Sequence, residues 1–167
     1  MPVDLDAPRE IKQAYAHGHD RPLASYAVID AVYVALLAVL GTAIARRGRL
    51  PERFEARDLA LVGVATHKLS RLLGKHPVTS PLRAPFTRFT GTAGPAELQE
   101  EVRGTGPRHA IGELVSCPFC LAQWVATGFV FGLAAAPRAT RLVAAILTTT
   151  ATADLLHFAH ARVAPDA

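Results

Sequence analysis

Charge is scarce in this chain. Of 167 residues only 19% are Asp, Glu, Lys or Arg, while 50% are hydrophobic. Cysteine is scarcer still, with two in all, so no disulfide framework of the small secreted kind can be built. Serine-hydrolase, phosphate-loop and paired-carboxylate signatures are absent. So are internal repeats, coiled-coil heptads and low-complexity tracts. The first twenty residues, "MPVDLDAPREIKQAYAHGHD", have no apolar centre and do not read as a cleavable signal peptide, so the first apolar run is expected to stay as an anchor.

Apolar residues are gathered into runs. Residues 23–45 carry one charge, Asp30, and residues 114–136 carry none. Residues 142–153 carry none either, and the apolar character resumes beyond Asp154. A bilayer core of about 30 Å takes roughly 20 apolar residues in a helix, which the first two runs supply and the third supplies by including Asp154. The alternative is a soluble helical bundle, but its helices need a polar stripe that "WVATGFVFGLAAA" and "LVAAILTTTATA" lack. The composition therefore predicts an all-α transmembrane bundle in the cell membrane, multi-pass, with the lipid bilayer as its first partner. A pI near 9.5 raises the question of nucleic acid. The basic residues flank apolar runs without interleaved aromatics, so they read as loop charge that sets topology, with no nucleic-acid partner.

Along the chain this gives a polar tail, 1–21, with a short interfacial helix around 9–17, and one membrane domain, 22–161. Its helices are expected at about 23–45, 58–73, 114–136 and 141–160, with Asp58 and Gly74 capping the second. That second helix is uniformly apolar for only about two turns before His67, Lys68 and Arg71. Charges there cost roughly 2.5 to 3.5 kcal/mol each at a bilayer centre, so the helix is expected to be half-inserted or a shorter fourth span beside three full ones. Counting Lys and Arg, a fully spanning 58–73 leaves about seven against nine on the two sides. A half-inserted helix gives about thirteen against five, which favours that arrangement with the cysteines cytoplasmic. The connection 74–112 is Pro/Gly-rich and irregular, longer than an idle loop, with one short helix expected in "PAELQEEV".

The order of motifs "THKLSR", then "VTSPLRAPF", then "GELVSCPFCLAQW" closely resembles the DUF1360 family of small bacterial membrane proteins, over roughly residues 59–158. That family is a domain of unknown function, some of whose members carry a sporulation label. The resemblance implies a membrane location and a set of positions: Thr66, His67, Ser70, Arg71, Arg83, Pro85, Phe86, Glu113, Cys117, Pro118, Cys120 and Trp124.

Three constellations can carry chemistry. Cys117 and Cys120 form a CPFC dithiol at a helix mouth, where orphan N–H groups favour thiolate. They read as packed small groups with Pro118 fixing the turn, as half of a zinc site completed by His109, His76 or His67, or as a redox pair. Zinc is the one cofactor left open. Arg71 and Glu113 are expected to pair and anchor the half-helix, with Arg83 and Arg88 as a possible anion or headgroup site. Asp30 is placed to accept a bond from Tyr26 or Tyr33, and Asp154 with His157 and His160 is the candidate proton relay. The reading is a structural or partner-binding membrane component, not an enzyme in the first instance, with a membrane-protein partner or a second copy. Its alternative is a metal- or thiol-dependent membrane protein. Gly128, Gly132 and Ala136 offer a small-residue face for helix packing.

Overall fold

The computed structural model describes residues 7–17 and 21–163. A short helix α1, Ala7–Ala16, precedes the long α2, Leu23–Arg46, and α3, Ala56–Lys75. A 3₁₀ turn, Pro77–Thr79, and a single-turn helix α4, Ser80–Arg83, lead into a two-stranded hairpin, β1 Thr87–Gly94 and β2 Glu97–Val102. Helix α5, Gly106–Ser116, then α6, Pro118–Ala135, and α7, Pro137–Val163, complete the chain.

Four long helices alternate in direction. Tyr33 of α2 bonds to Gln123 and Thr127 of α6, and Arg49, just past α2, reaches the carbonyl of Ala135 at the far end of α6, so α2 and α6 run parallel. Helix α3 runs back the other way along α6: Gly74 near its end lies against Pro118 and Leu121 at the start of α6. Asp58, Leu61 and Lys68 of α3 meet Arg141, Thr148 and Asp154 of α7 in order, so α3 and α7 run parallel. The core between α3, α6 and α7 is Val62, Ala65, Phe129, Leu133 and Ala144. It is small because most apolar side chains face outward: in α2 only Ile44 is buried, while Val28, Val32, Val34 and Val39 are exposed. Helices α2, α6 and α7 are long and apolar enough to cross a membrane.

Several expectations change. Helix α3 runs over Ala56–Lys75, 20 residues or about 30 Å, a little beyond the 58–73 expected, and Gly74 near its end lies beside the start of α6. It starts at Ala56, so Asp58 is inside the first turn, uncapping and bound to Arg141, and Gly74 is a contact point within the helix. The span expected over 114–136 is broken at Cys117, whose extended backbone ends α5 and begins α6. A residue before proline is pushed out of the α region, and Pro118 has no N–H to continue α5. The segment "PAELQEEV" is strand, not helix. So short a helix is marginal alone, whereas as β2 it fills the ladder of β1, from Thr87 with Val102 to Gly94 with Glu97, and sets Val102 against α5 at Gly112. Helix α7 is longer than expected, starting directly at Pro137. Of the small-residue face, Gly132 is filled from within by Thr140 across the α6–α7 turn, and Gly128 is open.

Candidate functional site at the cysteine end

The family-motif residues converge where α3 ends and α6 begins. Arg83, 1% exposed, is the largest fully buried side chain. Its Nε donates to Glu100 Oε2 at 2.6 Å, and its Nη1 donates to the Leu73 carbonyl at 2.6 Å and to Thr79 Oγ1 at 2.9 Å. Nη2 reaches the His76 carbonyl at 3.3 Å. Thr79 in turn donates to the Leu72 carbonyl at 2.5 Å. The last carbonyls of a helix have no partners in the helix itself. Here one threonine and one arginine, four residues apart in "VTSPLR", satisfy them and tie the helix end to β2. Arg71 adds a bidentate pair to Glu97, at 2.8 and 2.6 Å, a geometry that fixes orientation as well as charge.

Around this clamp the rest of the motif is structural backbone. The carbonyl of Pro85 accepts from Arg108 Nε and Nη2 at 2.9 and 2.6 Å, and that of Phe86 accepts the Arg103 N–H at 2.9 Å. Ser70 is buried and donates to the His67 carbonyl at 3.0 Å. Thr66 is half-buried on α3, and His67, one position on, is exposed. Trp124 stacks edge-on against Tyr33 with ring centroids 5.1 Å apart.

Glu113 is the second centre. It accepts from Arg21 Nη1 at 2.7 Å and from the Tyr26 hydroxyl at 2.5 Å, and His109 Nε2 lies 3.3 Å away. Burial pushes its carboxyl up, but the tyrosine bond, the guanidinium and the histidine outweigh burial and hold it below the usual carboxylate range. Arg21 is correspondingly raised by its bond to Glu113. The expected Arg71–Glu113 pair is therefore replaced: Arg71 takes Glu97 and Glu113 takes the start of α2. Asp30 is not the tyrosine acceptor either, since Tyr26 goes to Glu113 and Tyr33 to Gln123 and Thr127.

Cys117 and Cys120 are free thiols; Cys117 is half-buried, Cys120 exposed. The Cys120 N–H points at Cys117 Sγ, 3.3 Å away, so the sulfur caps α6. Phe119 between them is 89% exposed. His109, proposed as their zinc partner, directs Nδ1 to the Gly104 carbonyl and Nε2 to Glu113. Among the described residues no three His, Cys, Asp or Glu side chains gather as a metal would need. The relay candidate Asp154 is bound to Lys68 at 2.5 Å, and neither His157 nor His160 has a side-chain partner among the described residues. Sequence reasoning overlooked Glu97, Glu100, Thr79 and Arg21, and it gave Tyr26 to Asp30 in place of Glu113. The signal for the first two was the cluster of acids in "ELQEE", which find their basic anchors on α3 and α4.

A mostly helical chain with three membrane-length apolar helices and a polar cap clamped to one end defines a membrane-type helical bundle. Residues 61–160 match the family described as "Protein of unknown function (DUF1360)", and the chain belongs to that family. It is 30% identical over 101 residues to the sporulation protein YjcA of Bacillus subtilis (strain 168), covering 59% of this chain and 86% of the relative. No solved structure matches it.

Proposed function

We propose that this chain is an integral membrane scaffold that crosses the bilayer four times and holds a rigid polar cap against one membrane face for a partner to engage. The observation that carries this is the destination of the polar side chains at this end: Arg71, Arg83 and Glu113 of the motif, with Thr79 and Arg108 beside them, all spend their hydrogen bonds inside the chain. Groups kept for catalysis or anion capture would leave donors converging on an open pocket; these lock a cap to a bundle instead. The four crossings follow from direction. If α2 and α6 cross in the same sense, the chain between them must cross back, and α3 is the segment that does so.

Its charges are accommodated by pairing. Lys68 is bound to Asp154, and Asp58 and Arg141 meet at the opposite end. Paired charges avoid most of the insertion cost of isolated ones. With four crossings the N-terminal helix, the cap, the cysteines and the end of α7 share one side. The relative is named a sporulation protein in Bacillus subtilis, and that name is what suggests the same process for this scaffold.

The test uses single cysteines in the Cys117→Ser/Cys120→Ser background. Leu50→Cys, in the α2–α3 connection, and a restored Cys120 are labelled in intact cells with a membrane-impermeant thiol reagent. Opposite accessibility is expected. Equal accessibility returns α3 to a half-inserted helix and removes the four-pass scaffold.

A second reading rests on the thiols: Cys120 is exposed, and its backbone N–H donates to the sulfur of Cys117 three residues before it. Thiol–disulfide exchange or zinc capture with a further ligand from a partner would use them. Full function in the double Cys→Ser chain removes both.

A further inference from the structure

Apart from Arg46, Lys75, Arg138 and Arg162 in the terminal turns, charge in the long helices follows a rule with two exceptions. Lys68 has Asp154, Arg71 has Glu97, and Asp58 has Arg141. Asp30 on α2 and His67 on α3 are exposed and have no side-chain partner among the described residues. One is an acid and the other a base or hydrogen-bond donor. His157 and His160 differ, since the Lys68–Asp154 contact sets them level with the last turn of α3, where water is close.

Both exceptions lie at a similar depth. Tyr33, three residues after Asp30, bonds to Gln123 and Thr127; Gly74, seven residues after His67, sits on Pro118 and Leu121. At about 1.5 Å of rise per residue, the two positions are within roughly one turn of each other, inside the cysteine end of the bundle. Each also lies on a face of small residues. Beside Asp30, Ala27, Ala31 and Ala35 are exposed along one stripe of α2. Beside His67, Ala60 and Gly63 are exposed on α3, and nothing approaches within 4 Å of where a Gly63 Cβ would stand.

The geometry points to a second copy of this chain as the occupant of both faces, with Asp30 of each copy bonded to His67 of the other. This rests on the membrane reading above. A two-fold axis along the helices carries every depth onto itself, so a symmetric pair needs its complementary groups at matching depth, and these two meet that condition. An unpaired carboxylate two turns inside an apolar helix is costly in lipid, and a histidine across the interface relieves it. Small side chains let the two backbones come close enough for so short an acid to reach. Helix α2 is also the helix that most needs a neighbour, with one buried residue in its 24.

The experiment is disulfide trapping of the full chain in its native membrane. In the Cys117→Ser/Cys120→Ser background, one copy carries Ala31→Cys and a co-expressed, differently tagged copy carries Gly63→Cys. Mild oxidation is expected to give a mixed dimer, with Val39→Cys as a control that does not trap. Asp30→Ala or His67→Ala should shift the pair about tenfold toward monomer, the size of a typical intramembrane hydrogen bond. The exchanged chain, Asp30→His with His67→Asp, should recover the dimer. A chain that resists carbonate washing but never traps overturns the pairing alone. Trapping unaffected by Asp30→Ala overturns the residue assignment, and a chain that washes out with carbonate overturns the membrane reading and the pairing with it.

Discussion

Arg83 and Glu100 meet at 2.6 Å with both side chains buried, 1% and 4% exposed, although they belong to a one-turn helix and a strand. The arginine is simultaneously the cap of α3, so one side chain joins three elements. Removing one partner of a buried pair leaves an uncompensated charge, which costs about 3 to 5 kcal/mol. Arg83→Ala and Glu100→Ala are each expected to lose that much, read as faster proteolysis of residues 84–105 in membranes and a lower Tm in detergent. The double Arg83→Met/Glu100→Leu chain should lose less than either single one, because no charge is stranded. Equal losses in all three would mean that the pair does not hold the cap.

Gly112 makes a different kind of joint. A Cβ there would stand 2.6 Å from Val102 Cγ1 and 2.9 Å from the Phe86 carbonyl oxygen. The valine can turn aside, but the backbone oxygen cannot. Gly112→Ala should therefore push the hairpin off α5 at about 1 to 3 kcal/mol, the usual cost of overpacking. Gly91→Ala, where nothing lies within 4 Å, is the control and should change little. Hydrogen exchange of the β2 amides reads the difference.

Glu113 gives the pH dependence. Its carboxyl is held below the ordinary carboxylate value, where burial is outweighed by Tyr26, Arg21 and His109. A depressed acid adds stability that is fully present above its unfolded pKa, about 4.3, and is lost as pH falls through the lower folded value. The clamp on the start of α2 should therefore hold at pH 5 and weaken below about 4. In Glu113→Gln this part of the acid limb should disappear, which unfolding measured from pH 3 to 7 will show. An unchanged acid limb would place the relevant carboxylates elsewhere.

Lys68 and Asp154 test the crossing of α3. Their contact at 2.5 Å joins α3 to α7, and the lysine is 16% exposed. Asp154→Leu strands the lysine and should cost roughly 2.5 to 3.5 kcal/mol if the site lies within the bilayer. The double Lys68→Leu/Asp154→Leu chain should regain most of it. At a water-exposed site the cycle would instead return about 0.5 kcal/mol, the size of a surface pair.

Apolar runs were enough to locate α2, α6 and α7, because length and lack of charge are one-dimensional properties. The break at Cys117 was not drawn in the expected 114–136 span, although its signal is local, since Pro118 acts on its own neighbour. The partner of Glu113 was not legible: Arg21 is 92 residues away, and nothing local distinguishes it from Arg71. The same holds for "PAELQEEV". Its residues accept a helix, and its acids were drawn into a strand by Arg71 and Arg83 from elsewhere in the chain.

Sequence alone determined the class of this protein, the number of its long helices and the motifs that carry its family resemblance. Each depends on local composition and spacing, which the chain carries wherever it folds. Tertiary structure decided the direction of α3, the hairpin and every ion pair across elements. Those depend on which distant groups come within hydrogen-bond reach, and only the assembled bundle sets that distance.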